Sequence, residues 1–193
     1  MFFSPTTPPK FLKSPYNLRG LKVLVMEDFP YMADLMVSML MEFSVGKVFT
    51  ACNLEECQAL LDCYNISTTQ NTHIDIIITD LLPPQKTGFE LIRWVRTHQE
   101  ESIRYLPILF CSAHTRLNIV EEGRDFGANE ILVKPLTAEK LAHRLLHIID
   151  YPRSYVKAPQ FFGPDRRRKE KPFTGQDRRT LSEQDMRVSY ETA

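Results

Sequence analysis

The chain has 193 residues, enough for one well-packed domain with extensions but too few for two full-sized domains. Its 24 Lys and Arg residues balance its 24 Asp and Glu residues, so the overall charge favours neither nucleic acid nor an anionic membrane as a partner. No apolar run approaches the roughly 20 residues that span a bilayer, and the N-terminal residues lack the apolar stretch of a secretory signal. We therefore expect a cytoplasmic protein with no membrane span.

The four cysteines, Cys52, Cys57, Cys63 and Cys111, lack the paired C-x-x-C spacing of zinc and redox sites. Nothing in the sequence indicates secretion, so we expect no disulfide bonds. The simplest prediction is that all four are buried, reduced thiols.

An apolar run rich in β-forming residues, Leu21 to Met26, ends abruptly at Glu27 and Asp28. This pattern predicts a buried strand that stops at an acidic tip. Apolar residues at three- and four-residue spacing predict a helix from Tyr31 to Phe43. The same alternation then predicts strands near 47–51, 74–79, 107–112 and 130–133, and helices near 54–64, 89–97, 117–126 and 138–149.

Five strand-helix units, with central strands that are apolar on both faces, predict an α/β fold. The expected architecture is a doubly wound five-stranded parallel sheet with helices on both sides. We expect this domain over residues 21–150, after a flexible leader over residues 1–20. Residues 151–193 lose the hydrophobic periodicity and are rich in Pro, Arg and Lys, which predicts a mostly disordered tail.

Ligands of open parallel sheets bind beyond the carboxyl ends of the strands, where this chain carries Glu27, Asp28, Asp80, Ser112 and Lys134. Three carboxylates at two strand ends repel one another, and a hard cation such as Mg²⁺ would compensate. Asp80 follows a run of isoleucines and could act as a nucleophile towards phosphorus. Lys134 would supply a positive charge, and Ser112 a hydroxyl donor, to the oxygens of a transferred phosphoryl group.

These residues belong to four segments, 23–28, 78–88, 111–113 and 127–135, which together resemble the receiver domains of bacterial response regulators. The resemblance covers roughly residues 21–150 and is to stand-alone receivers of the chemotaxis-regulator kind. It implies a flavodoxin-like receiver fold. It also implies a role in two-component phosphorelay signalling rather than as an enzyme.

Carried over to this chain, the resemblance implies that Asp80 is the phosphoacceptor and that Glu27 and Asp28 form the acidic Mg²⁺ pair. Asp80 and the main-chain carbonyl of Leu82 would be further metal ligands. Ser112 would be the switch hydroxyl and Lys134 the phosphate-sensing lysine. A histidine kinase or phosphotransfer protein would donate the phosphoryl group, and an unidentified downstream protein would respond.

Two positions depart from the family pattern. Pro83 stands where methionine is common, and Ile131 stands where a tyrosine or phenylalanine usually turns inward on activation. We therefore expect weak coupling between Asp80 and the surface of the last two strand-helix units. An aspartyl-nucleophile phosphatase would need a second Asp at position 82, where this chain has leucine, and no helix-turn-helix pattern indicates DNA binding.

The tail contains a repeat, F-x-G-x-D-R-R, at residues 161–167 and 173–179. Arginine can pair with the O6/N7 edge of guanine, and a neighbouring Asp can accept hydrogen bonds from guanine. Two D-R-R units would suit cyclic di-GMP, and the tail resembles the arginine-rich extensions of receiver-like proteins that bind it. The residues concerned are Asp165, Arg166, Arg167, Asp177, Arg178 and Arg179.

Other interpretations of the tail stay open, namely a solvated basic segment or one that docks on RNA or on an acidic protein surface. Basic residues outnumber acidic ones from Lys157 to Leu181, so the segment should attract anions in any case. The alternative function is therefore a receiver-fold adaptor whose tail binds cyclic di-GMP or another anionic partner, with phosphorylation secondary.

Overall fold

The structure, a computed structural model, describes residues 17–66, 72–81, 87–112, 117–159 and 161–165. Their central strands are β1 (Lys22–Met26), β2 (Lys47–Ala51), β3 (Ile76–Asp80), β4 (Ile108–Ser112) and β5 (Glu130–Val133). The helices are α1 (Pro30–Glu42), α2 (Leu54–Leu61), α3 (Thr87–Thr97), α4 (Glu101–Arg104), α5 (Leu117–Phe126) and α6 (Ala138–Asp150). None of the described helices has the length and hydrophobicity needed to cross a lipid bilayer.

The five central strands form one parallel sheet in the order β2-β1-β3-β4-β5. This order is the doubly wound arrangement of flavodoxin-like folds, so the predicted fold class is confirmed. Every residue of β3 and β4 is buried, as expected for central strands that are covered on both faces. The carboxyl ends of all five strands meet along one edge of the sheet.

The core forms two apolar layers because successive residues of a strand point to opposite faces. Leu24 and Ile77 face one layer, where α2, α3 and α5 pack. Val23 and Ile76 face the other, where α1 and α6 pack. The apolar spacing of each helix is therefore explained by the sheet face that it covers.

Two short elements between β2 and β4 differ from the sequence prediction, which placed one helix near 54–64 and no helix directly before β4. A π-helical segment, Asp62–Ile66, continues from α2, and the four-residue helix α4 precedes β4. Buried Asn65 explains the first, because its amide nitrogen donates to the Ile74 carbonyl at 2.9 Å and its oxygen accepts from the Ile74 amide at 3.1 Å. One polar side chain thus fixes the end of this segment against the start of β3.

The prediction of a mostly disordered tail from residue 151 is wrong for its first part. Strands β6 (Tyr155–Ala158) and β7 (Phe161–Pro164) form an antiparallel hairpin. Tyr155 is only 2% exposed, and its hydroxyl donates to the Tyr105 carbonyl at 2.7 Å. Few apolar residues occur here, but the aromatic ones bury enough surface to order the segment.

The chain after the hairpin is held at its first residue. The Asp165 amide donates to the Ser154 carbonyl at 2.8 Å, and the Arg153 guanidinium donates to the Asp165 carbonyl at 3.1 Å. Arg153 also pairs with buried Glu130 at the start of β5. The described structure therefore continues beyond the predicted boundary at residue 150, and the predicted leader before residue 17 lies outside the described residues.

The four free cysteines divide into two pairs, which corrects the prediction that all are buried. Cys57 and Cys111 are buried, whereas Cys52 and Cys63 are exposed. Cys63 lies in the π-helical segment, and Cys52 lies just after β2. The hydrophobic periodicity of the sequence did not predict that either position is exposed. Burial raises the pKa of both Cys57 and Cys111 to about 12.

We expect iodoacetamide at neutral pH to alkylate Cys52 and Cys63 in the folded chain and to spare Cys57 and Cys111. Only thiolates react at an appreciable rate, and the buried thiols are both inaccessible and neutral. Peptide mass spectrometry before and after unfolding in urea measures this. Modification of all four cysteines at equal rates in the folded chain would show that the core is open.

Candidate functional site

Four charged or polar side chains meet at the carboxyl edge of the sheet. Glu27 follows β1, Asp80 ends β3, Ser112 ends β4, and Lys134 follows β5. These four strands are neighbours in the sheet, so residues separated by up to 107 positions in sequence come together. The structure therefore brings these four predicted site residues together at one edge of the sheet.

Lys134 lies between two carboxylates. Its Nζ is 2.7 Å from Asp80 Oδ2 and 3.3 Å from Glu27 Oε2. The Glu27 side chain is 2% exposed, and the Asp80 and Lys134 side chains are 12% and 17% exposed. Since charges attract more strongly where water is largely excluded, the lysine balances the carboxylates at the floor of the crevice.

Ionisation of this cluster is coupled. Burial raises the pKa of Glu27, an effect that the nearby Lys134 charge opposes and the Asp80 charge reinforces. Burial alone would lower the pKa of Lys134, but its hydrogen bond to Asp80 and the charges of Asp80 and Glu27 outweigh burial and raise that pKa. Lys134 therefore stays protonated.

Both carboxylate oxygens of Asp80 have partners. Oδ1 accepts a hydrogen bond from the Leu81 amide at 2.7 Å, and Oδ2 accepts from Lys134. The first bond fixes the rotation of the carboxylate. The second pairs the other oxygen with the ammonium group of Lys134.

The remaining predicted site residues differ in their surroundings. Asp28 is exposed at the rim of the crevice, next to buried Glu27, whose Oε1 accepts from the Phe29 amide at 3.3 Å. Ser112 is fully buried, and its carbonyl accepts from the Lys134 amide at 2.8 Å. A cis peptide bond joins Lys134 to Pro135. Leu82 and Pro83 lie outside the described residues.

The oxygen donors at this edge suit Mg²⁺. Among the described residues no three His, Cys, Asp or Glu side chains form a ready metal cluster. Mg²⁺ does not require one, because it keeps several waters and takes only one or two carboxylates. Buried Glu27 and Asp80, whose mutual repulsion is relieved only in part by one lysine, fit that need, and exposed Asp28 can contribute through solvent.

Gly88 is a positioning residue that sequence reasoning did not single out. A Cβ at this position would collide with the Asp80 carbonyl oxygen, and the Gly88 amide donates to the Leu81 carbonyl at 3.2 Å. The start of α3 thus packs directly on the backbone of Asp80. The signal in the sequence is a glycine shortly after two prolines, which indicates a close backbone approach.

We expect Gly88→Ala to slow phosphorylation of Asp80 and to destabilise the chain by about 1–3 kcal/mol, the usual cost of forcing an extra group into a packed site. Urea unfolding and the rate of labelling by acetyl phosphate check the two effects. Gly20→Ala is the control, because a Cβ there meets no atom within 4 Å. Equal behaviour of the two variants would contradict the packing role of Gly88.

Ile131 lies on the side of the sheet covered by α3 and α5 and is 9% exposed. Its Cδ1 is 3.3 Å from the position of a Cβ at Gly123 in α5. The side chain therefore already points inward, where the family usually places an aromatic ring that moves. Weak coupling through this position stays a prediction.

Of the six residues proposed for cyclic di-GMP, only Asp165 is among the described residues. Arg166, Arg167, Asp177, Arg178 and Arg179 lie outside them. The contacts of the Asp165 backbone hold this residue against the domain and identify no ligand. Binding of cyclic di-GMP by the tail stays a prediction.

Known proteins resemble about two thirds of this chain. The chemotaxis protein CheY of Pseudomonas aeruginosa is 26% identical over 130 residues, which are 67% of this chain and 97% of that protein. The two-component response regulator ORR21 of rice is 29% identical over 130 residues, but the chain spans only 17% of that longer protein.

Solved structures share the fold. CheY4 of Vibrio cholerae superposes with a TM-score of 0.54 at 29% identity, covering 66% of this chain and 98% of that one. A CheX–CheY–BeF3–Mg²⁺ complex from Borrelia burgdorferi gives a TM-score of 0.56 at 20% identity, covering 66% and 88%. Residues 23–146 match the response regulator receiver domain family, which spans all four strand-end residues described above. The chain therefore belongs to the response regulator receiver domain family.

Proposed function

We propose that this chain is a stand-alone response regulator in which Asp80 accepts a phosphoryl group from a histidine kinase or a phosphotransfer protein. The observation that carries the proposal is the position of Lys134, whose Nζ is 2.7 Å from Asp80 and 3.3 Å from Glu27. The family acts mainly as signalling switches, which agrees with an output through contacts with a downstream protein.

The transfer needs one bond made and one broken. A carboxylate oxygen of Asp80 forms a bond to phosphorus, and the bond from phosphorus to the donor atom breaks, with its electron pair leaving on the donor. Asp80 reacts as a carboxylate and so needs no general base. The product is an acyl phosphate on the end of β3.

Glu27, Asp28 and Asp80, with the Leu82 carbonyl, would hold Mg²⁺, which when bound neutralises charge on the phosphoryl oxygens. Support for the metal comes from the all-oxygen donor set and from the fold shared with a CheY complex that contains BeF3 and Mg²⁺. Lys134 would leave its ion pair with Asp80 Oδ2 and donate to a phosphoryl oxygen. Because Lys134 directly follows β5, its movement on phosphorylation would also shift the end of that strand.

Ser112 would be the second residue, after Lys134, that responds to phosphorylation of Asp80. Its hydroxyl is at the end of β4, and its carbonyl is bonded to the Lys134 amide, so the two groups that would sense the phosphoryl share one backbone hydrogen bond. A shift of either would reach α5, which follows β4, and α6, which follows β5. We expect output through these two helices to be only weakly coupled to Asp80, because Ile131 stands where the family usually has an aromatic ring.

Incubation of the full chain with acetyl phosphate and Mg²⁺ tests the proposal. We expect the wild-type chain to gain one phosphoryl group in intact mass, and expect no gain for Asp80→Asn or when EDTA removes the metal. The matched control is Asp34→Asn, an exposed aspartate on α1. A wild-type chain that gains no phosphoryl group would contradict the proposal. It would favour the alternative function, an adaptor in which the receiver fold is only a scaffold.

A further inference from the structure

Lys134 reaches Asp80 from the far side of β4. The sheet order places β4 between β5, which Lys134 follows, and β3, which Asp80 ends. Neighbouring strands lie about 4.8 Å apart, so the span from β5 to β3 is roughly 10 Å. The Lys134 amide donates to the Ser112 carbonyl at 2.8 Å, while its Nζ lies 2.7 Å from Asp80 Oδ2. The side chain therefore extends across β4, and the residue of β4 beneath it limits the path that it can take.

Cys111 is the residue of β4 at this crossing. In the sheet register it is the partner of Asp80 on one side and of Leu132 on the other. It packs in the same apolar layer as Ile78 and Leu132. Asp80 and Lys134 come two residues after these, and side chains two apart along a strand point to the same face. The Cys111 thiol therefore lies on the same face as the ion pair, between its two members.

The charges of the site act on this thiol. Cys111 is fully buried, and burial raises its pKa to about 12. The charges of Asp80 and Glu27 contribute to the rise, and the Lys134 charge opposes it. Cys57 of α2 is equally buried, but burial alone raises its pKa to about 12. The contrast agrees with a Cys111 thiol beside the charged cluster and a Cys57 thiol in the other apolar layer.

We propose that Cys111 is a positioning residue for phosphoryl transfer, because it supports the Lys134 side chain where that chain crosses β4. A thiol is compact and only a weak hydrogen-bond partner, so it fills the space beneath the lysine without competing for the ammonium group. The ammonium group is thereby left to the carboxylates of Asp80 and Glu27. The effect on rate rests on the proposed function, whereas the support of Lys134 exists before any phosphorylation.

A larger side chain at position 111 should displace the lysine. Extra groups in a packed site force their neighbours to shift, and the neighbour here that shifts most easily is a long, flexible side chain. Cys111→Leu should therefore move the Lys134 ammonium away from Asp80. Cys111→Ala removes bulk and keeps the path across β4 open.

A kinetic double-mutant cycle on the full chain tests the proposal, with acetyl phosphate and Mg²⁺ as the phosphoryl source. We expect Cys111→Leu to slow labelling by roughly 10- to 100-fold, since a misplacement of about 1 Å can cost about that much. Added to Lys134→Met, the same change should slow labelling by less than about twofold, because the group through which it acts is already gone. Cys111→Ala should restore a rate close to that of the wild type.

Cys57→Leu is the matched control, because it adds the same bulk at a buried cysteine in the other apolar layer. It should lower stability in urea and leave the labelling rate unchanged. Cys111→Val, with a smaller increase in bulk, takes the place of Cys111→Leu if the latter lacks a dispersed amide spectrum. The expected direction of the effect is the same for both variants.

A second measurement needs no phosphorylation. In the ¹⁵N-labelled chain, an ammonium group held between two carboxylates exchanges its protons slowly and gives its own NMR signal, which Lys134→Met assigns by removing it. We expect this signal to shift or disappear in Cys111→Leu. It should remain in Cys111→Ala and in Cys57→Leu.

Two results would overturn the proposal. Equal slowing by Cys111→Leu with and without Lys134→Met would show that position 111 acts on Asp80 or on the fold rather than through the lysine. An unchanged Lys134 signal in Cys111→Leu would show that the thiol does not support the lysine. A wild-type chain that takes no label would contradict the proposed function instead, and the NMR comparison would still decide whether Cys111 positions Lys134.

Discussion

Replacement of Arg96 by leucine is expected to destabilise the chain by about 3 kcal/mol or more, because it removes a buried guanidinium and its hydrogen bonds to four acceptors in the core. Arg96 is 3% exposed. Its guanidinium donates to the carbonyls of Gly127, Arg104 and Leu106 and to the side-chain oxygen of Asn129, at 2.8 to 2.9 Å. Leucine fills part of the space but donates no hydrogen bonds. The main-chain carbonyls that accept from Arg96 remain in the variant.

Urea unfolding followed by circular dichroism measures the loss. Arg93→Leu, one turn earlier on the exposed side of α3, is the matched control and should change stability by no more than about 0.5 kcal/mol. The hairpin should loosen with Arg96→Leu, since the guanidinium lies 5.2 Å from the Tyr155 ring. Similar midpoints for the two variants would show that the network around Arg96 contributes little.

Replacement of Lys134 by methionine is expected to slow phosphorylation by acetyl phosphate by about 100-fold, the usual cost of removing one preorganised electrostatic group from a reaction site. Methionine keeps the length of the side chain and loses its charge. The approaching phosphoryl group would then meet Glu27 and Asp80 with no fixed cation from the protein. The rate of mass gain at fixed acetyl phosphate and Mg²⁺ measures the effect.

Lys140→Met on α6 is the matched control, because this lysine is exposed and its Nζ donates to the Pro135 carbonyl at 3.5 Å rather than to a carboxylate. It should be labelled at the wild-type rate. Urea unfolding of both variants separates a loss of chemistry from a loss of fold. Labelling of Lys134→Met at the rate of the control would show that Lys134 takes no part in the reaction.

The strand-end site could be predicted because parallel topology converts sequence order into proximity. Once apolar runs identify buried strands, the residue after each run must lie at the same sheet edge, which is why Glu27, Asp80 and Lys134 were identified together. Distances and burial could not be predicted in this way. That Lys134 contacts both carboxylates, and that Gly88 packs on the Asp80 backbone, depends on how the loops and helices close over the edge.

The hairpin was missed because its stability does not come from periodicity. Composition indicated disorder after residue 150, but one tyrosine reaches the Tyr105 carbonyl and one glycine allows close approach to Gly127. Such contacts depend on tertiary structure that a local pattern cannot encode. The exposed Cys52 and Cys63 were mispredicted for a related reason, since a cysteine alone does not indicate which side of an element it occupies.

The site of modification tests the central claim most directly. Borohydride reduces an aspartyl phosphate to homoserine, which marks the acceptor permanently and can be located by peptide sequencing in a mass spectrometer. After treatment of the full chain with acetyl phosphate and Mg²⁺, we predict homoserine at position 80, in the peptide that contains β3. Homoserine at another aspartate, or none in a chain that has gained phosphate, would contradict the assignment of Asp80 as the phosphoacceptor.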